Sequence, residues 1–248
     1  MIKYSRLWYK KIYDDFYAGL TLEGQKGARH DVKFILSKIK LPRKASILDV
    51  PCGRGRHSKI LAKKGFSVVG IDIAPNNIKA ARKGMPGNNP SFRTGDIRNL
   101  EKFHGKFDAV MNLFTSIGYF QTDRENEKAI LELYRCVKKE GFLVIEILNG
   151  EALKKKFKSS DWFEKKDFFL LVRRELEKNG HYLRTEEFYI FKKTGKIRHQ
   201  SHRLRIYSKD ELVRILKKCG FRSVKVFDKF GAPLNRFKTW RYVYIARK

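Results

Sequence analysis

The residues whose types and spacing suggest chemistry begin at Ile47-Leu-Asp-Val-Pro-Cys-Gly-Arg-Gly-Arg-His-Ser58. A short apolar run enters a turn that carries Gly53 and Gly55, and a helical pattern leaves it. Glycines let a backbone adopt positive φ and pass close to a ligand, and a helix N-terminus offers free N–H groups. That combination suits a nucleotide-like cofactor at the tip of a strand. A dinucleotide fingerprint needs a third glycine where Ser58 stands, and no Gly-Lys-Ser/Thr follows, so a P-loop is excluded. Asp49 would repel a pyrophosphate in this turn, whereas it would attract the ammonium of a methionine-like moiety. Asp72 closes Val68-Val-Gly-Ile-Asp72 and can accept from both hydroxyls of a ribose. Asp96, in Thr94-Gly-Asp96, can accept from an adenine amino group, with Ile73 and Ile97 flanking the ring. A single aspartate at a strand end is ordinarily an N-cap or turn residue. Three at successive strand tips weaken that reading.

These side chains need a scaffold that brings strand tips together. From Ser46 the sequence alternates short apolar runs with helical patterns. Strands are expected at 46–50, 67–71, near Phe92, at 107–113 and at 141–148, with helices after Gly53, from Pro75 and from Thr122. Thr122 with Glu125, and Ser208 with Glu211, have capping-box spacing. This βα order implies a mostly parallel sheet with helices on both faces. After Asn149 the texture changes. Residues 151–166 are Lys-rich, and strands are expected at 167–177, 181–191 and 196–206, with Asn179-Gly180 turning the first pair. A helix closed by Gly220 and two strands, about 222–228 and 239–246, complete the chain. Residues 2–20 space apolar side chains as one helical face, and a second helix is expected from Arg29 to Ile39. The expected organisation is an N-terminal helical cap (1–45), a cofactor-binding core (46–150), an antiparallel β insertion or lid (151–206) and a C-terminal helix with hairpin (207–248).

The chain has 248 residues, with 56 Lys+Arg against 26 Asp+Glu, a formal charge of +30. Solvated surface alone does not explain so lopsided a balance, which points to an anionic partner. No apolar stretch reaches the ~20 residues of a membrane span, and the N-terminus lacks the apolar region of a signal peptide, so the expected compartment is the cytoplasm, without stable membrane association. Cys52, Cys136 and Cys219 form no Cys-x-x-Cys pair, which disfavours disulfides and zinc. His199 and His202 lack adjacent further ligands, so no metal is expected.

Taken together, Asp49-x-Pro-x-Gly53-x-Gly55, Val69-Gly-Ile-Asp72, Gly95-Asp96-Ile97, Phe107-Asp-Ala-Val-Met-Asn112, Val137-Lys-Lys-Glu-Gly-Phe-Leu143 and Ser208-Lys-Asp-Glu-Leu…Cys219-Gly-Phe221 resemble the class I S-adenosylmethionine-dependent methyltransferases. The resemblance runs from about 45 to 248, and Pro51 departs from the glycine more usual there. It implies an α/β, Rossmann-like seven-stranded sheet with an antiparallel last strand, and S-adenosylmethionine at the strand tips. On that basis the cofactor residues are Asp49, Cys52, Gly53, Gly55, Asp72, Ile73, Asp96, Ile97, Asn112 and Phe114, with Tyr17 and Arg29 from the helical cap. Tyr13, Tyr119, Arg205 and Tyr207 are candidates to meet the methyl acceptor. Methyl transfer from a sulfonium is an in-line displacement that needs alignment and exclusion of water, so no nucleophilic residue is required, and a base is needed only if the acceptor loses its proton before attack. Asn112-Leu-Phe-Thr does not match the Asn-Pro-Pro-Tyr of many base amino-methylases. By resemblance the inserted strands cover the acceptor pocket, as in small-molecule methyltransferases. The leading expectation is a small-molecule acceptor, anionic if an Arg faces it. The alternatives are an RNA or other nucleic-acid methyltransferase, favoured by the charge, and a non-catalytic nucleic-acid-binding protein that keeps the fold. A nicotinamide oxidoreductase is disfavoured by Asp49 and the missing glycine.

Overall fold

The structure, a computed structural model, describes Phe16 and residues 25–83, 87–228 and 240–248. The expected helix over 2–20, with Tyr13 and Tyr17, lies outside the described residues apart from Phe16, which is helical.

Helix α1 (Gln25–Lys38) precedes a βα series: β1 (Ser46–Asp49), α2 (Arg56–Lys63), β2 (Ser67–Asp72), α3 (Pro75–Arg82), β3 (Ser91–Thr94), β4 (Phe107–Asn112), α4 (Asp123–Cys136) and β5 (Val137–Leu148). Next come α5 (Gly150–Lys155) and four strands, β6 (Ser160–Glu164), β7 (Phe168–Glu177), β8 (Tyr182–Phe191) and β9 (Ile197–Arg205). Helix α6 (Lys209–Cys219) leads to β10 (Ser223–Asp228) and β11 (Arg241–Arg247). The main sheet has the order β10-β11-β5-β4-β1-β2-β3. Strands β1 to β5 pair in parallel, while β11 runs antiparallel to both β5 and β10. The expected doubly covered sheet with an antiparallel strand is therefore present.

The sheet separates two cores, and β1 shows why its sequence reads as continuously apolar. Leu48 points to a cluster with Ile130 and Leu133 of α4 and Leu212 and Leu216 of α6. Its neighbour Ile47 points to the opposite cluster, with Val32 and Ile35 of α1 and Leu61 of α2. A strand buried on both faces alternates between two apolar environments, so its two central positions, Ile47 and Leu48, are both apolar. Both expected capping boxes form, at Thr122 and Ser208, and Gly220 closes α6 in the left-handed region at φ 112°.

Strands β6 to β9 form a separate antiparallel sheet in that order. Three of its strands match the sequence expectation within two residues. The fourth, β6, falls within 151–166, the stretch read from the sequence only as Lys-rich. It is an edge strand with mostly exposed side chains, so no face of it carries the buried alternation that marks a strand. The hairpin between β7 and β8 places Lys178, Asn179 and Gly180 all at positive φ, which Asn and Gly tolerate best.

The inward face of this second sheet is graded. Phe168, Tyr189 and Phe191 pack edge-on against Phe16, with ring centroids 5.0–5.7 Å apart. Further along the sheet lies a polar band: Glu187 beside Gln200, then Arg174, Thr185 and His202 in register. Leu183 and Leu204 follow. No described helix is long and apolar enough to cross a membrane.

Candidate functional site

The tips of β1, β2, β3 and β4 and the inward face of the second sheet enclose one cavity of about 1170 Å³. Small-ligand pockets are typically ~300–1000 Å³, so this one has room for two ligands side by side.

The wall on the main-sheet side is set mostly by backbone geometry. Gly53 (φ 54°) faces open space: a Cβ there would meet no atom within 4 Å. A ligand can therefore approach the main chain of the turn. Gly55 (φ 76°) does not line the cavity; its absent Cβ would fall 2.5 Å from the Phe92 ring, so it holds α2 against β3. Cys52 lines the cavity and is buried; its N–H donates to Ile71 O (2.8 Å), and burial pushes its thiol pKa up. Asp72 is buried at the end of β2. Its Oδ2 accepts from Gly53 N (2.9 Å), and its Oδ1 accepts from Ala74 N (2.8 Å) and Asn77 Nδ2 (3.2 Å). Burial raises its pKa, against those three hydrogen bonds. A carboxylate offers about four acceptor directions, so one remains for a ligand hydroxyl.

Asp49 stands behind this wall. It is buried, does not line the cavity, and accepts from Ser58 Oγ (2.5 Å); burial raises its pKa, opposed chiefly by His57. It acts on the turn through the start of α2. Asp96 lines the cavity but shares its carboxylate with Arg98, at 2.7 and 3.1 Å. Arg98 in turn stacks on Phe120 and reaches Glu125 at 2.7 Å. Ile73 and Ile97 line the cavity beside these acids, and Arg29 reaches it from α1.

The segment after β4 is held in an uncommon conformation. Phe114 (φ 65°) and Thr115 (φ 53°) are both left-handed without being glycine, an arrangement that surrounding bonds must enforce. Phe114 N donates to Glu146 Oε2 (3.2 Å) and Thr115 N to Glu146 O (2.9 Å). Thr115 Oγ1 accepts from Arg241 (3.0 Å) and Leu148 N (3.0 Å). The Phe114 ring carries the guanidinium of Arg56 at 3.8 Å and that of Arg241 at 5.0 Å. Phe114 and Tyr119 line the cavity, whereas Asn112 is buried beside it, donating to Val50 O (2.7 Å).

The opposite wall is built from side chains: Val172, Arg174, Leu183, Thr185, Glu187, His202 and Leu204. Glu187 Oε2 is oriented by two donors, Tyr189 Oη (2.9 Å) and Gln200 Nε2 (2.5 Å), and Tyr189 is buried. Burial lowers the His202 pKa; Glu187 opposes that and Arg174 adds to it, so the imidazole is neutral at pH 7. His199, three residues away, projects from the other face and stacks on Phe188 at 4.5 Å. The two histidines therefore share no ligand site.

Arg205 and Tyr207 lie away from the cavity lining. Arg205 donates to Asp123 (2.9 Å), to the Ile206 carbonyl and to Glu211. It clamps β9 to the starts of α4 and α6. Tyr207 is buried beneath its guanidinium. Sequence reasoning did not single out Arg174, Thr185, Glu187 or His202 as acceptor residues. The available signal was parity: counted from the Asn179-Gly180 turn, these polar residues share the strand face of Val172, Leu183 and Leu204.

Residues 47–141 match the family model described as a methyltransferase domain. A putative methyltransferase, YqeM of Bacillus subtilis, is 27% identical over 212 residues, covering 84% of this chain and 86% of that one. A glycine/sarcosine N-methyltransferase of Parasynechococcus marenigrum is 34% identical over 123 residues, covering 48% of this chain and 44% of its own. The chain thus spans most of the first relative and less than half of the second. Among solved structures, an S-adenosylmethionine-dependent methyltransferase from Clostridium acetobutylicum superposes with a TM-score of 0.80 at 16% identity, covering 94% of this chain and 98% of that one.

Proposed function

We infer that this chain, a class I S-adenosylmethionine-dependent methyltransferase, moves the methyl group to a small molecule held between its two sheets. One observation carries the reading: a single cavity of about 1170 Å³ has cofactor-type strand tips on one wall and an oriented polar band on the other.

The cofactor, when bound, supplies a methyl group already activated on a positive sulfur. The residues present fit it: Gly53 leaves the turn backbone open, Asp72 keeps an acceptor direction for a ribose hydroxyl, and Ile73 and Ile97 offer apolar flanks beside Asp96 for a purine. Asp49 supports the turn from beneath, through its hydrogen bond from Ser58 at the start of α2. The rest of the work is positioning. The strained Phe114–Thr115 segment, pinned by Glu146 and Arg241, shapes the floor between the walls. Glu187 and Arg174 can orient opposite charges on an acceptor, and the neutral His202 imidazole can take a proton released from it. Holding donor and acceptor between the two walls supplies the alignment that an in-line transfer needs. The matched relative named for glycine and sarcosine acts on nitrogen of a small molecule, which agrees with this reading.

A nucleic-acid acceptor is the second reading, favoured by the +30 charge. One experiment separates them. The protein is incubated with methyl-labelled S-adenosylmethionine and a cell extract split into RNA, protein and low-mass fractions. Label in the low-mass fraction is expected. Label confined to RNA or protein would overturn the small-molecule reading.

A further inference from the structure

The +30 charge is not evenly spread, and its distribution has a structural meaning. Residues 25–95 hold sixteen Lys and Arg against three Asp and no Glu. Those three, Asp31, Asp49 and Asp72, are all buried, at 5%, 1% and 5% exposure. This stretch therefore shows solvent no carboxylate. By contrast, residues 96–228 hold thirty Lys and Arg against twenty acids. Many of those cations are paired there, as Lys138 is with Asp108 and Lys192 with Glu164.

The basic stretch also has a shape. Helices α1 and α2 lie side by side on one face of the main sheet and enclose a groove of about 510 Å³. Its walls are Arg29, Lys33, Lys59, Ile60, Lys63 and Lys64. Lys59 Nζ reaches the Lys83 carbonyl at 3.4 Å, linking α2 to the end of α3, which adds exposed Lys79, Arg82 and Lys83. Arg29, Lys59 and Ile60 are shared with the large cavity, so the groove runs to its rim.

We propose that this α1–α2–α3 face docks duplex RNA through its phosphates. Charge complementarity selects a polyanion. The large exposed apolar residues among those described, Trp162, Phe163, Leu171, Ile197 and Trp240, all lie outside 25–95. A membrane-surface element uses such residues to enter the acyl boundary, and single-strand readers use aromatics to stack bases. A face that is cationic, grooved and without them suits a duplex backbone. Docking there goes beyond transfer to a small acceptor and does not require RNA to be methylated.

The test uses the full chain, a duplex RNA of about 20 base pairs, and filter binding from about 50 to 200 mM salt. The variant is Lys33→Glu/Lys63→Glu/Lys64→Glu, three exposed positions that do not line the large cavity. The control, Lys128→Glu/Lys139→Glu/Lys218→Glu, makes the same change in net charge at exposed positions elsewhere. The groove variant is expected to bind RNA at least about tenfold more weakly, with the salt slope reduced by about three; the control stays within about twofold of wild type. Calorimetric binding of S-adenosylmethionine is expected to be the same in all three proteins, which verifies folding separately. Equal RNA binding by the groove variant and the control would overturn the proposal. So would binding to vesicles of phosphatidylserine and phosphatidylcholine with no binding to the duplex.

Discussion

The two walls of the cavity are built on different principles. On the main-sheet side, the turn at Gly53, the buried Asp72 and the left-handed Phe114 and Thr115 are set by backbone hydrogen bonds and φ angles. On the side of the second sheet, Arg174, Glu187 and His202 project from regular strands, and only side-chain chemistry distinguishes them from Val172, Leu183 and Leu204 beside them. A turn whose ligand-facing groups are main-chain N–H and C=O offers the same groups whatever side chains it carries. A wall of side chains on a rigid ladder can be rewritten one residue at a time without disturbing the fold. Under the proposed function, the cofactor is held on the main-sheet wall and the acceptor is chosen by the second sheet.

Substitutions on the two walls should therefore fail differently. The largest effect is expected at Asp72. Asp72→Ala removes the acceptor for three N–H groups and the acceptor direction proposed for a ribose hydroxyl, and S-adenosylmethionine binding is expected to weaken by about 100-fold or more in calorimetry. Next comes Gly55→Ala. It forces a left-handed alanine with its Cβ against Phe92, and denaturant unfolding should show a loss of about 2–4 kcal/mol. On the other wall, Glu187→Gln is expected to raise the KM for the acceptor about tenfold while leaving the cofactor Kd unchanged. A parallel loss of cofactor binding would erase the distinction between the walls.

Smaller effects sharpen it. His202 has a folded-state pKa below that of an unfolded histidine, because burial and Arg174 disfavour its charged form more than Glu187 favours it. The unfolded chain then binds more protons as pH falls, so this contribution to stability is present above about pH 6.5 and is lost on acidification below it. Denaturant midpoints from pH 7 to pH 5 should fall less steeply for His202→Asn than for wild type. The smallest change is expected far from both walls. Arg222 meets Glu140 at 2.5 Å on the surface, with both side chains exposed, and Arg222→Ala should shift stability by no more than about 1 kcal/mol.

The same contrast explains what was legible in the sequence. The main sheet could be read because its central strands are buried on both faces and its turns need Gly53, Gly55, Pro75, Thr122 and Ser208 at set places. Cys52, Gly53, Asp72, Ile73, Asp96 and Ile97 could be singled out for the same reason, and all line the cavity. Asp49, Gly55 and Asn112 carry equally strong signals but support the wall from behind, since sequence position does not reveal how deep a side chain sits. Arg205 and Tyr207, expected at the acceptor, instead join β9 to α4 and α6; in a sequence, a buried Arg reads alike whether it meets a ligand or Asp123 and Glu211. The polar band on the second sheet was hidden because its three strands meet in space through register, which no local pattern announces. The β6 edge strand was hidden by the Lys-rich stretches on either side of it and by its lack of a buried face.

The most direct measurement is a calorimetric titration of S-adenosylmethionine into four proteins: wild type, Asp72→Ala, Glu187→Gln and Arg174→Ala. The two-wall description expects wild type and both second-sheet variants to bind the cofactor with the same affinity, and Asp72→Ala to lose it. Equal binding by Asp72→Ala, or losses of similar size in Glu187→Gln and Arg174→Ala, would contradict it.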